Sequence, residues 1–206
     1  NAMEAPVAVL QNASFLLITT KQSSFGGHGE ILSYGLASLG TPSTTVRRIG
    51  EFAVADSSGS HLIVLKEDGI WSLSGRAFEN ASKISIPFDA IPLAVSSDGG
   101  HVVVTKQAPA GEWKFDSELN LVEIESATIT KIGNGHSPIV DREGLVVVFC
   151  SGYDNLLRQY VTATETISPI DFQASFKSNL ALVDRGASIV FASVNDNRAE
   201  NYEIYT

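Results

Sequence analysis

Apolar and polar positions recur along this chain in five similar units. In each unit an apolar strand precedes a polar turn, and a second strand then follows that is apolar at nearly every position. The units begin near residues 7, 52, 93, 138 and 180. Their matching valines are spaced 45, 41, 45 and 43 residues apart, namely Val9, Val54, Val95, Val140 and Val183. A spacing this regular predicts a repeat protein.

The turns and the strands that follow them predict four-stranded units. Each turn contains Asp, Asn or Gly, as in Asp98-Gly99-Gly100, and these residues favour tight hairpins. The second strand is continuously apolar, so we expect it to be buried on both faces. A third, alternating strand is half-buried, and in four units a fourth segment follows. The predicted fourth segments are residues 44–49, 83–86, 128–132 and 165–170.

Antiparallel units of this kind predict an all-β fold, a β-propeller of about five four-stranded blades. Neighbouring blades pack face to face around an axis, which explains why the second strand is apolar on both faces. A β-sandwich is the main alternative, but it gives no reason for five similar hairpins. We predict one propeller domain over residues 3–206, after a two-residue tag remnant. Its predicted blades are residues 5–50, 51–89, 90–133, 134–172 and 173–206.

The fifth unit carries a known repeat motif. After Asp184 it includes Ser188-Ile189-Val190-Phe191-Ala192-Ser193, Asn195-Asp196-Asn197 and Tyr202-Glu203-Ile204-Tyr205. This segment resembles the repeat of TolB-type propellers. The fourth unit shares part of the motif, from His136-Ser137-Pro138 through Asp141 to Phe149. The resemblance implies a propeller architecture and transfers no activity, because propellers host unrelated functions.

The fourth unit also resembles a WD-repeat blade. The similar residues are Gly135-His136, Ser151-Gly152-Tyr153-Asp154-Asn155 and Tyr160, the last in place of the Trp of that repeat. In such a blade the histidine forms a hydrogen bond within the blade. The resemblance therefore implies a bond between His136 and Asp154, and a structural rather than a catalytic role for His136.

The last unit is expected to be incomplete. The sequence ends after its third predicted strand, and residues 3–6 are too few to supply a full fourth strand. A three-stranded last blade, a longer native chain, or an edge covered by another chain would each account for this, since exposed strand edges tend to pair. The sequence leaves these three explanations open.

Composition and charge narrow the class of protein. The 206 residues are 44% hydrophobic and carry a formal net charge of −9, which excludes a disordered chain and argues against binding to a nucleic-acid backbone. The basic residues are scattered, and Arg47-Arg48 is their strongest cluster. No apolar run approaches the length of a membrane span, so we expect no membrane insertion. A periplasmic or secreted location and a cytoplasmic one both stay open.

Individual residues give little indication of catalysis. Cys150 lies in an apolar run, so we expect a buried thiol without a reactive role. His61 and His101 occupy the same place at the start of the second strand in adjacent units, which favours a structural role. There is no Gly-x-Ser-x-Gly motif, and the histidines do not cluster. The sequence therefore predicts no catalytic residues, no cofactor and no metal site.

A carbohydrate-binding or glycoside-hydrolysing propeller is the alternative function. Such an enzyme would take paired carboxylates from different blades. The candidates lie mostly in turns, where Asp shapes the backbone, and they are Asp56, Asp68, Asp141, Asp154 and Asp184. Residues 195–201 are rich in oxygen ligands but lack the spacing of a calcium loop, so we expect an ordinary polar turn there.

Aromatic residues between strands favour a binding surface. Trp113 and Phe115 lie in the longest excursion of the third unit, and Tyr153 lies in the corresponding loop of the fourth. Corresponding loops emerge on one face, where aromatic rings anchor a peptide or stack on a sugar, although they equally serve to cap blade cores. We therefore predict a non-catalytic module that recognises a protein or peptide, with a glycan as a second ligand class. The candidate binding residues are His28, Trp113, Phe115, Tyr153 and Asp154.

Overall fold

Every described pair of hydrogen-bonded strands in the chain is antiparallel. The structure is a computed structural model, and it describes residues 3–11, 14–23, 30–39, 46–106, 117–152, 156–170, 176–183, 188–194 and 202–205. Between the seventh and eighth strands, Arg76–Phe78 form a 3₁₀ turn. The strands are β1 (Met3–Leu10), β2 (Phe15–Ser23), β3 (Glu30–Ser38), β4 (Val46–Gly50), β5 (Phe52–Ala55), β6 (Leu62–Lys66), β7 (Gly69–Ser74), β8 (Asn80–Lys83), β9 (Ala90–Val95), β10 (His101–Lys106), β11 (Ser117–Glu123), β12 (Thr128–Val140), β13 (Val146–Ser151), β14 (Leu157–Val161), β15 (Thr166–Pro169), β16 (Phe176–Val183), β17 (Ser188–Val194) and β18 (Tyr202–Tyr205).

Within the described residues these strands form four sheets, in which strands adjacent in the chain are hydrogen-bonded neighbours. The sheets are β1–β4, β5–β8, β9–β15 and β16–β18. The seven-stranded sheet holds two units, because the 13-residue β12 is the last strand of the third unit and the first strand of the fourth. The chain thus has four four-stranded units and a last unit of three described strands. This arrangement confirms the predicted all-β fold of about five antiparallel blades.

The second strand of each inner unit is buried between its two neighbours. On β6, Leu62 and Val64 pack into a core shared with the first unit, whereas Ile63 packs into a core shared with the third unit. β10 repeats the arrangement one unit later, because Val103 faces the fourth unit and the valines on either side of it face the second. All of these side chains are fully buried. Burial on both faces, predicted from the continuous apolar runs, is confirmed.

The hairpin register shows that two of the five matching valines were aligned wrongly. The last paired residue before the turn is Leu10 in β1 and Ala55 in β5, whereas it is Val95 in β9. Val9 and Val54 therefore lie one position out of step with Val95. Neighbouring strand residues point to opposite faces, so the difference decides burial. Leu10 is 1% exposed, whereas Val9 is 61% exposed.

Two fourth strands also differ from their predicted ranges. In the second unit the strand is β8, and the predicted segment at residues 83–86 overlaps it only at Lys83. Ile84 and Ile86 instead belong to the connection to β9, where they pack against the core between the second and third units. In the third unit the strand does not end at residue 132, since β12 continues into the next unit. Apolar alternation alone does not distinguish a paired strand from an unpaired connection.

The turns between first and second strands meet across neighbouring units. The Gln11 N–H donates a hydrogen bond to the Gly59 carbonyl at 3.1 Å, which joins the first two turns. The Asp98 N–H donates to the Arg142 carbonyl at 3.1 Å, which joins the third and fourth turns. These contacts bring the turns together on one face of the molecule, hereafter the turn face.

His61 and His101 occupy equivalent structural positions, as predicted. The backbone carbonyl of His61 accepts a hydrogen bond from the Asp56 N–H at 3.1 Å, and that of His101 accepts one from the Ser96 N–H at 3.0 Å. Each imidazole ring lies against a glycine in the turn of the next unit, Gly99 over His61 and Gly144 over His101. Both glycines have positive φ angles, of 72° and 74°. The histidine rings therefore act as spacers between successive turns.

The Asp98 carboxylate organises the turn of the third unit. Its Oδ1 atom accepts hydrogen bonds from the Ser96 hydroxyl at 2.6 Å and from the Gly100 N–H at 2.8 Å. Partial burial raises the pKa of Asp98, but these two hydrogen bonds and the neighbouring His101 outweigh it and lower the pKa below the usual 3.8. Turn aspartates with this function were expected from the sequence.

We expect Asp98→Asn to lower stability at neutral pH but not in strong acid. A carboxyl whose pKa is lowered by folding stabilises the folded state above its unfolded pKa, and this contribution disappears as the pH falls through the folded pKa. Urea unfolding at about pH 7 and at about pH 2.5 would measure how far the free energy of unfolding of the variant falls below that of the parent protein. Glu143→Gln, an exposed change in the next turn, is the control. A difference that is the same at both pH values would contradict the assigned role.

Candidate functional site

The connections between second and third strands leave the units on the face opposite the turn face. Strand direction alternates within a unit of four strands. The connection from the last strand of one unit to the first strand of the next therefore leaves on this same face. We call this the loop face. Residues 67–68, between β6 and β7, and residues 84–89, between β8 and β9, are described parts of it.

The five predicted binding residues lie outside the described residues. His28 falls between β2 and β3, whose last ladder pair is Ser23 with Glu30. The others belong to the connections between β10 and β11 and between β13 and β14, and they are Trp113, Phe115, Tyr153 and Asp154. Their role in binding stays a prediction.

A cleft opens on the loop face of the second unit, between the β6–β7 turn and the connection that leads to the third unit. Its volume is about 950 Å³. One wall is the turn from Lys66 to Gly69, and the other is the connection over residues 84–89. Glu51, which follows β4, lines the cleft as well, and its N–H is held by the Leu65 carbonyl at 2.8 Å. The cleft is the candidate functional site of the described chain.

A compact polar cluster holds the first wall in place. The Trp71 indole N–H donates to Asp68 Oδ1 at 2.9 Å, and Lys83 Nζ lies 3.5 Å from Asp68 Oδ2. Lys66 Nζ lies 4.5 Å from the centre of the Trp71 ring, which is cation–π contact distance. We call these four residues the Trp71 cluster. It joins the β6–β7 turn to β8, and it includes both lysines that line the cleft, Lys66 and Lys83.

The electrostatics of Asp68 suit a structural carboxylate. The hydrogen bond from Trp71 lowers its pKa, the desolvation by neighbouring atoms opposes this, and the charge of Lys83 lowers it again. The net shift is downwards from 3.8, so Asp68 is ionised at neutral pH. A general acid needs a raised pKa to hold its proton near neutral pH. Asp68 therefore does not fit the acid of a glycosidase.

Three more carboxylates line the cleft, and all three are exposed. They are Glu51, Glu67 and Asp89. None of their side chains forms a hydrogen bond or ion pair with another residue that the structure describes. Asp68, Lys66 and Lys83 line the cleft as well, so its lining has four carboxylates against two lysines, a formal charge of −2.

The floor of the cleft is apolar and continuous with the protein core. Ile84 is 3% exposed, and its N–H donates to the Ile70 carbonyl at 2.9 Å. Ile86 and Phe88 are partly buried against the same core. Along residues 84–90 buried or half-buried positions alternate with exposed ones, so every second side chain points to the core. The cleft thus combines an apolar floor with a charged rim.

The other described carboxylates that the sequence offered for a glycosidase stabilise the turns that contain them. Asp56 is 5% exposed, and its carboxylate accepts the His61 N–H at 3.0 Å and the Ser58 hydroxyl. Asp141 accepts the Leu145 N–H at 2.7 Å. Asp154 and Asp184 lie outside the described residues, as do residues 195–201. The three described candidates, Asp56, Asp68 and Asp141, therefore bond to backbone or neighbouring side chains.

Other sequence predictions have a clear structural outcome. Cys150 is fully buried on β13, as expected. His136 Nδ1 lies 3.1 Å from the Ser137 hydroxyl, whereas its implied partner Asp154 is not described. Among the described residues, His, Cys, Asp and Glu side chains form no group of three or more that could hold a metal ion. The described part of the chain also contains no helix with the length and apolar character required to cross a membrane.

Solved structures match this chain in fold. A TolB protein from Agrobacterium tumefaciens has a TM-score of 0.62 at 12% identity, over 97% of this chain and 73% of its own. The β-propeller domain of the Trilobed protease from Pyrococcus furiosus has a TM-score of 0.60 at 12% identity, over 99% and 68%. The chain has a TolB-type propeller fold. The predicted resemblance is therefore confirmed.

Larger proteins contain the same arrangement. Acylaminoacyl peptidase from Pyrococcus horikoshii has a TM-score of 0.65 at 10% identity, over 98% of this chain and 38% of its own. The chain thus spans between 38% and 73% of the length of these three structures. No protein-family model and no curated protein sequence matches the chain. At such low identity the likeness concerns the TolB-type fold alone.

The cleft itself was not predicted from the sequence. Its two walls come from segments that were assigned to strands or to an unremarkable turn. One signal was present, because Ile84, Ile86 and Phe88 alternate with polar residues and Pro87, and an interior proline argues against a paired strand. The position of Trp71 beside a turn aspartate was a second signal. Neither signal shows that the β6–β7 turn and this connection lie beside each other.

Proposed function

We propose that this chain is a non-catalytic binding module that recognises a protein or peptide through its loop face. The observation that carries the proposal is the cleft between the β6–β7 turn and the connection to β9, with its apolar floor at Ile86 and Phe88 and its charged rim. Recognition sites in proteins combine apolar contact area with a few polar groups that set orientation. The TolB-type fold is compatible with this role but assigns no partner by itself.

The proposal predicts that peptides selected from a random display library bind at the cleft. Ser85→Trp introduces a large side chain at an exposed position of the cleft wall. We expect it to weaken the binding of selected peptides by at least about tenfold, or about 1.4 kcal/mol. Fluorescence anisotropy with labelled peptides measures this change.

A matched variant on the opposite face is the control. Ser60→Trp places the same side chain at an exposed position in the turn of the second unit, and it should leave peptide binding unchanged. Equal weakening by both variants, or turnover of any substrate by the purified chain, would overturn the proposal. A reproducible rise in the unfolding midpoint with one glycan would instead support carbohydrate binding, since a ligand that binds only the folded state stabilises it.

A further inference from the structure

We infer that residues 75–83 form a strained strap, which opens as one unit and thereby releases a wall of the cleft. The strap consists of the connection after β7 and the whole of β8. The first unit holds one end of it through Gln11, and its other end leads into residues 84–89 of the cleft. The inference goes beyond the proposed function and requires no ligand.

The backbone of the strap is strained. Ala77 and Phe78 are consecutive residues with φ angles of 56° and 55°, in the left-handed region that disfavours any residue with a Cβ atom. Gln11, which contacts the strap, has a φ angle of 48°. These are three of the six non-glycine residues with positive φ in the described part of the chain, so strain is concentrated at this contact. Backbone strain persists only where surrounding contacts hold it.

The first unit supplies the contacts that hold the strap closed. The Gln11 amide donates from Nε2 to the Gly75 carbonyl at 2.7 Å, and its Oε1 accepts the Ala77 N–H at 3.2 Å. Arg47 Nη2 donates to the Ala77 carbonyl at 3.0 Å. The Phe78 side chain is 3% exposed and packs in the core between the first two units. Loss of these contacts would allow the two left-handed residues to relax.

The strand β8 has few other contacts that keep it in place. All four of its residues are exposed, and it is the edge strand of its sheet, paired with β7. Between residues 75 and 84 only Phe78 and Ile84 are buried, one in the core shared with the first unit and the other in the core shared with the third. Segments with little buried apolar surface open at a lower free energy than the rest of a protein. Release of Phe78 therefore leaves β8 with a single buried anchor.

The far end of the strap couples its opening to the cleft. Lys83, the last residue of β8, lies 3.5 Å from Asp68, and the Ile84 N–H donates to the Ile70 carbonyl at 2.9 Å. These two contacts attach the wall over residues 84–89 to the β6–β7 hairpin. When the strap opens, the wall loses this attachment. By reciprocity, closure of the strap and binding of a ligand that contacts the closed wall favour each other.

Hydrogen exchange under native conditions, measured by NMR spectroscopy, tests the inference. The probes are the Phe78 N–H, which donates to the Gly75 carbonyl, and the Ile84 N–H at the cleft, with the amides of β6 as reference. We expect Phe78 and Ile84 to be protected at least about tenfold less than the β6 amides, and their exchange to depend less on urea. If all of these amides share one protection and one urea dependence, the strap opens only on global unfolding and the inference is overturned.

Two variants should change the strap in opposite directions. Gln11→Ala removes both amide hydrogen bonds and should lower the protection of Phe78 and Ile84 by at least about fivefold. Ala77→Gly relieves one strained residue and should raise the protection of both by about fivefold. Gln159→Ala is the matched control, because this glutamine bonds to Ser168 in the fourth unit, and it should change neither amide.

The position of the response distinguishes a strap from a turn that opens alone. If Gln11→Ala changes the protection of Phe78 but not of Ile84, the strap does not carry β8 and the inference is wrong. If Ala77→Gly fails to raise the protection, no strain is stored there and the inference is also wrong. An equal change at the β6 amides would contradict a local opening. None of these measurements uses a peptide, so the proposed recognition function is tested separately.

Discussion

Replacing Phe149 with alanine should lower the free energy of unfolding by about 3–5 kcal/mol. The ring is 1% exposed and belongs to the core between the third and fourth units. It lies against β12 where that strand carries Gly133 and Gly135, and a Cβ atom at these positions would approach the ring to 3.0 and 2.9 Å. Alanine would leave a cavity bounded by backbone, which has little freedom to collapse into it.

Thermal and urea unfolding would measure this loss. For a chain of this length each kcal/mol corresponds to about 2–4 °C, so we expect the midpoint to fall by about 6–20 °C. Leu145→Ala is the matched control, because this residue lies just before the same strand and is 48% exposed. A loss below about 1 kcal/mol for Phe149→Ala would show that this core is not closely packed.

Gly99→Ala should destabilise the protein by about 2–5 kcal/mol through two separable effects. The φ angle of 72° places Gly99 in the left-handed region, which disfavours alanine. A Cβ atom there would also lie 2.5 Å from Cδ2 of His61 in the preceding unit. The second effect depends on the contact between units, and the first does not.

A double-mutant cycle with His61→Ala separates the two effects. Without the imidazole ring, Gly99→Ala should cost only about 1–2 kcal/mol, the strain of the left-handed conformation. Urea unfolding of the four proteins gives the coupling energy, which we expect to be about 1–3 kcal/mol. A coupling near zero would contradict the role of His61 as a spacer between turns.

The architecture was predictable because each second strand is apolar at consecutive positions. Such a strand needs a cover on both faces, and Leu62, Ile63 and Val64 receive it from opposite sides. Repetition of the same pattern at regular spacing requires repeated units, which predicts a propeller. The equivalence of His61 and His101 was also visible, since their turns have similar length and composition.

Register and strand bounds were less predictable. Leu10 and Val9 are both apolar, so the sequence does not show which of them faces the core, whereas hydrogen-bond pairing with β2 buries Leu10. In the same way Ile84 and Ile86 continue the alternation of β8 but belong to a connection. An unpaired connection that packs its alternate side chains against the core produces the same sequence pattern as a paired strand.

The sequence by itself determined the repeat, the doubly buried strands and the hairpin turns, because these depend on local periodicity and turn chemistry. Only the tertiary structure decided the site. The cleft exists because the β6–β7 turn and the connection to β9 lie beside each other, although Asp68 and Asp89 are well separated in the chain. Its charge follows from the four carboxylates and two lysines that the fold brings to its lining. Tertiary packing decides which of these side chains meet, and a linear pattern does not encode that.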